Sequence, residues 1–138
     1  MKTTLDALTV VYKLINTSAL KTMITGSIYK TVRPYSGKED IAINCLPMTG
    51  VGQGAQKCTV NVNIHLPAQK LEVSSKITNI PNDIRFKELL TVAVPLLEQF
   101  KGDDYTAWLT NQSNPIAEEE VGEFYVNLRI EFRYLTFK

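Results

Sequence analysis

The C-terminal segment constrains this chain most. Between residues 123 and 137, Phe124, Val126, Leu128, Ile130, Phe132 and Tyr134 occupy every second position. Asn127, Arg129, Glu131 and Arg133 fall between them. A period of two places the first set on one face of a β-strand and the second on the other. A helix would scatter the same residues around its circumference. Burying the six large side chains contributes roughly 10–15 kcal/mol gross, most of it offset by lost chain entropy. Residues 58–66 repeat the pattern, with Val60, Val62, Ile64 and Leu66 against Thr59, Asn61, Asn63 and His65. Strands with one apolar and one polar face imply an antiparallel sheet covered on a single side.

Two helices supply the cover. Over residues 4–16, Leu5, Leu8, Tyr12 and Ile15 recur at helical spacing, with Val11 beside them. Asn16-Thr17-Ser18 breaks that helix and offers capping oxygens to a short second one carrying Leu20, Met23 and Ile24. Gly26 stands where a left-handed C-terminal cap is expected. The main helix is predicted over residues 83–100, capped by Asn82 or Asp83, with Phe86, Leu89, Leu90, Ala93, Leu97 and Phe100 as its apolar stripe. Pro95 predicts a kink, because it removes a hydrogen bond and crowds the preceding turn.

Shorter strands are predicted over 28–33, ended by Pro34, over 40–46, stopped by Pro47, and over 105–111. In the second, Ile41, Ile43 and Cys45 share a face opposite Ala42 and Asn44. In the third, Tyr105, Ala107 and Leu109 oppose Thr106, Trp108 and Thr110. Gly50 to Gly54 reads as a loop. Residues 67–82 have a weak pattern of Leu71, Val73, Ile77 and Ile80 that fits an irregular helix or a loop. The order α-β-β-β-α-β-β, with few and segregated helices, predicts an α+β fold. Its mostly antiparallel β-sheet is packed on one face by two main helices. No internal repeat or linker divides the chain, so residues 1–138 are expected to form one domain.

Composition narrows the function classes. At 138 residues the chain is long enough for a real core. Fifteen basic residues against fourteen acidic ones give a net charge of +1. That balance lacks the clustered positive excess of a dedicated nucleic-acid binder. No apolar run approaches the roughly 20 residues that span a bilayer. Met1-Lys-Thr-Thr-Leu-Asp6 lacks the basic end and apolar core of a signal peptide, which predicts a chain not exported by the Sec route. Cys45 and Cys58 then read as reduced, partly buried thiols, bridged only if register brings their Cα atoms within about 7 Å.

No motif points to catalysis. His65 is the sole histidine, with no Cys, Asp or Glu at ligand spacing, and it reads as a surface or edge polar group. Gly50-Val-Gly-Gln-Gly54 leads into a strand, whereas a phosphate loop leads into a helix N-terminus. A catalytic cysteine needs an adjacent base. Along one strand, Cys58 and His65 stand more than about 20 Å apart. The acidic pairs Glu39-Asp40 and Asp103-Asp104 and the run Glu118–Glu120 lie in turns and read as solvated. Asn16 and Asn111 have glycosylation spacing, which carries no meaning without export. The alternating charges of Arg129, Glu131 and Arg133 admit two readings: solvated decoration, or an intersubunit seam whose opposite charges fix register.

The N-terminal helix, the Gly26-Ser-Ile-Tyr29 start of strand one and the Arg33-Pro34 loop form a recognisable sequence of features. The Asn61-Val-Asn-Ile64 strand follows, and then a helix before two closing strands. In this order the chain resembles the tail-completion and tail-terminator proteins of long-tailed bacteriophages. The resemblance implies a non-enzymatic subunit of a ring, often a hexamer, that caps the tail tube and joins it to the head. It implies no cofactor or metal, and no membrane or sequence-specific nucleic-acid partner. The implied partners are copies of the chain itself, tail-tube protein and neck or head-completion proteins. The implied location is the virion, after assembly in the host cytoplasm. Arg129, Glu131, Arg133, Asn61 and Asn63 are the expected subunit interface. A head-closure or other neck ring fits the same features. A small ligand-binding or enzymatic α+β domain, with a site between sheet and main helix, is the reading from another class.

Overall fold

A computed structural model describes residues 2–50 and 55–135. The chain opens with helices α1 (Thr4–Asn16) and α2 (Ala19–Met23), followed by strands β1 (Ile28–Lys30), β2 (Asp40–Cys45) and β3 (Ala55–Pro67). Strands β4 (Gln69–Val73) and β5 (Lys76–Ile80) precede helix α3 (Asp83–Leu97). Then come β6 (Gln99–Lys101), β7 (Tyr105–Gln112), β8 (Ile116–Glu118), a 3-10 turn (Glu119–Val121) and β9 (Glu123–Leu135).

The two best-patterned segments pair with each other. β3 and β9 run antiparallel for thirteen residues, from Ala55 opposite Leu135 to Pro67 opposite Glu123. They form the centre of a sheet ordered β1-β2-β3-β9-β7-β6, and β8 shares the second edge of β9 with β7. All pairings are antiparallel except β1 with β2. The fold is α+β, a mixed, mostly antiparallel sheet with two helices packing on one face.

Periodicity sets the core. Val60, Val62, Ile64, Leu128, Ile130 and Phe132 are fully buried. They meet Leu8, Val11 and Ile15 of α1 and Phe86, Leu89, Ala93 and Leu97 of α3. Helix α1 is stopped at its start by a reciprocal capping box between Thr3 and Asp6. In α3, Asn82 caps the first turn by accepting from the Arg85 amide.

The structure corrects several local expectations. Leu5 is 65% exposed, because the buried stripe of α1 runs through Ala7 instead. Pro95 lies in the last turn of α3, which ends at Leu97, and Phe100 belongs to β6. The strand expected over 28–33 stops at Lys30, because Thr31 takes a left-handed conformation (φ 65°). Residues 67–82 are neither loop nor helix but mostly the β4–β5 hairpin. The element order therefore includes the short second helix, which the order α-β-β-β-α-β-β left out, and four strands that the sequence pattern did not separate: β4, β5, β6 and β8. Residues 51–54 of the glycine loop and the end of the last predicted strand lie outside the described residues.

Gly26 is not a left-handed cap. Its role is close approach. A Cβ there would sit 1.9 Å from Asp40 Oδ1 and 2.5 Å from the Glu39 carbonyl oxygen. Gly26→Ala should therefore destabilise the protein by about 1–3 kcal/mol through overpacking. An unchanged urea midpoint would show that this corner relaxes freely.

Candidate functional site

Sheet register assembles a charged cluster on the face away from the helices. In one row, Asp40 of β2 stands opposite His65 of β3, and His65 opposite Tyr125 of β9. In the next, Pro67 stands opposite Glu123, and Glu123 opposite Glu118 of β8. With period two, Asp40, His65, Glu118 and Glu123 all project from that face. Gly122 (φ 65°) ends the 3-10 turn in a left-handed conformation and starts β9 at Glu123.

Arg33 closes the cluster from above. Parallel neighbours cannot be joined by a tight turn, so residues 31–39 must travel back along the sheet between β1 and β2. That return brings Arg33 over Asp40 and Glu123. Its Nε donates to Asp40 Oδ2 at 3.0 Å. Nη1 and Nη2 donate to Glu123 Oε1 and Oε2 at 2.5 and 3.2 Å. Asp40 also accepts from the Ser27 amide at 2.8 Å and the Ser36 hydroxyl at 2.5 Å. Asp40 is fully buried and Glu123 is 2% exposed, so each carboxylate's desolvation is offset by these charge-assisted bonds.

His65 adjoins this network without being satisfied by it. Nδ1 lies 3.0 Å from Glu118 Oε1 and 3.3 Å from Glu123 Oε1. Neither contact has hydrogen-bond direction, and Nδ1 is a buried polar atom without a hydrogen-bond partner among the described residues. Its ring packs against Tyr125 at 5.3 Å between centroids. Burial, reinforced by the Arg33 charge, holds its pKa below the ordinary histidine value. Glu118 is the solvent-side member, its side chain 37% exposed. A cleft of about 400 Å³ opens beside it, between Lys76, Ile77 and Asn79 of the hairpin and Glu118, Gly122 and Glu123.

Three sequence expectations are corrected here. His65 is buried, not a surface group. Asp40 is not a solvated turn acid, and Glu39 is held by Arg85 at 2.8–2.9 Å. His65 does have carboxylates at ligand distance, brought there by the fold from more than fifty residues away in sequence. The only hint in the sequence was an acidic residue at position 123 leading an apolar strand.

The expected interface residues lie farther along the same face. Asn61 donates to Asn44 at 3.2 Å, while Asn127 donates to Asn61 and Asn63 at 3.2 and 2.7 Å. These amides form an intrachain ladder. Arg129 and Arg133 are exposed and Glu131 is half-buried, and none of the three makes an ion pair among the described residues. Arg133 stands opposite Lys57, and Glu131 opposite Thr59 and Trp108. Cys45 and Cys58 are free thiols on the core side, Cys45 Sγ donates to the Leu46 carbonyl oxygen at 3.3 Å, and the nearby Cys45 together with burial raises the pKa of Cys58.

A larger cleft of about 560 Å³ lies between α3 and residues 112–115, walled by Phe86, Leu90, Val94 and Val126. Its charged residues, Asp83 and Lys87, do not converge with other titratable groups as those around Glu123 do. The chain matches no protein-family model and no curated protein.

Proposed function

We infer that the protein is a non-enzymatic structural subunit of a phage tail or neck. In this reading it forms a homo-oligomeric ring that terminates the tail tube and joins it to the head. The sequence resemblance motivates the reading. The observation that carries it is the β4–β5 hairpin. Every residue of β4 is exposed, and so is every residue of β5 except Ile80. Leu71, Val73 and Ile77 are 45, 61 and 64% exposed. Among the described residues the two strands pair only with each other, apart from the main sheet. An isolated two-stranded hairpin is marginal in water, and clustered exposed apolar residues mark interaction surfaces. An arm of this kind is suited to lie against a second copy. The unpaired charges of Arg129, Glu131 and Arg133 offer a second contact on the sheet face.

Native mass spectrometry and light scattering, with and without tail-tube protein, test this reading. The expected result is a closed ring, alone or on the tube. Glu131→Arg sets three positive charges in a row, and like charges across a seam cost several kcal/mol. The monomer should still fold, because the apolar face is untouched, while assembly weakens and becomes more salt-dependent. If the charges were merely solvated, reversal would cost only about 0–1 kcal/mol. A strict monomer under both conditions would overturn the reading.

A further inference from the structure

The geometry points to a binding site for a divalent transition-metal ion formed by His65 Nδ1, Glu118 and Glu123. One imidazole nitrogen and two carboxylate oxygens lie within 4.8 Å of one another. Two sides of that triangle measure 3.0 and 3.3 Å. Ligands 2.0–2.1 Å from a tetrahedral zinc ion stand about 3.3 Å apart, so the spacing fits one ion at the centre. A directed hydrogen bond does not explain the arrangement. Nδ1 is buried and lies near two carboxylates, yet its lone pair or proton is aligned with neither. A metal ion would take that lone pair directly.

Charge leads to the same place. Three carboxylates, Asp40, Glu118 and Glu123, face one guanidinium, Arg33, which leaves a net charge of −2 when His65 is neutral. Lys76, across the cleft, is paired with neither glutamate. A divalent cation balances the site. Arg33 then serves as the outer partner that orients Glu123, and Asp40 orients Arg33, the usual support for a carboxylate ligand. The imidazole nitrogen selects zinc, or cobalt in its place, over calcium, magnesium and manganese, which prefer oxygen ligands. Three protein ligands leave a further position for water or an outside donor, next to the 400 Å³ cleft. Bound there, the ion cross-links β3, β8 and β9 at one end of the sheet.

The full chain, stripped with a chelator and titrated with Co²⁺ and Zn²⁺, tests the site by cobalt visible absorption and by metal content after dialysis. The expected result is one equivalent of metal per chain, with cobalt bands displaced by zinc and unaffected by excess Mg²⁺. Glu118→Gln and His65→Asn should each weaken binding more than about tenfold, since even supporting residues change affinity by 10–100-fold. Glu119→Gln, on the same turn but outside the triad, should leave it unchanged. If His65→Asn does not fold, Glu118→Gln decides alone, because that side chain is partly exposed. No uptake by the unaltered chain overturns the site, as does uptake that Glu118→Gln leaves unchanged.

Discussion

Arg33→Ala should cost about 3–5 kcal/mol of folding stability, the range for removing one partner of a buried ion pair. The Arg33 side chain is 10% exposed, and its two carboxylates are 0 and 1% exposed. Alanine leaves two buried negative charges without their cation, and the Asp40 oxygens keep only Ser27 and Ser36 as donors. The loss comes from the charges left behind, more than from the attraction removed. Adding Asp40→Asn and Glu123→Gln to Arg33→Met should therefore recover part of the stability, because no net charge is then stranded. Urea unfolding of both variants makes the comparison. An Arg33→Ala midpoint equal to the parent's would mean the cluster is open to water, and the ion pairs structurally idle.

Phe132→Ala should cost about 3–5 kcal/mol by cavity formation. Phe132 is fully buried and is the hub of an aromatic group at one end of the sheet. Its ring lies 5.6 Å from Phe100, 5.5 Å from Tyr105 and 5.8 Å from Tyr134 between centroids. Edge-to-face and offset pairs of this kind add about 0.5–1.5 kcal/mol each beyond area burial. Phe132→Leu should lose less, since it retains most of the apolar volume. The two variants separate packing from aromatic geometry: equal losses would assign the whole effect to the ring contacts. Phe132 projects from the core face of β9, whereas Arg33 lies in the β1–β2 connection over the opposite face, and the two share no partner, so their effects should add.

The hairpin shows how a local signal can be hidden by its own chemistry. Ser74 and Ser75 carry the two positive φ angles, 52° and 65°, of a tight two-residue turn between β4 and β5. Such turns favour Asn-Gly or Asp-Gly, and a Ser-Ser pair carries no comparable mark. Nor does the arm touch the core, so its apolar residues were free of the strict alternation that burial imposes. β6 and β8 escaped for a different reason: each is only three residues long, and periodicity needs more than that to register.

The sequence by itself determined the α+β class, the single apolar face of β3 and β9, the α3 stripe from Phe86 to Leu97 and a cap at Asn82 or Asp83, of which the structure uses Asn82. These follow from interactions repeated every two, three or four residues, and such spacing is written directly in the chain. Only the tertiary structure decided the parallel pairing of β1 with β2, the steric need for Gly26 and the cluster of Arg33, Asp40, His65, Glu118 and Glu123. Arg33 and Glu123 are 90 residues apart in sequence and are joined only by strand register and the return of the β1–β2 connection. A charge in a sequence reads as solvated until a partner is known. Here the partners exist only because β2, β3, β8 and β9 align their polar positions in adjacent rows, and because one loop must run back across them.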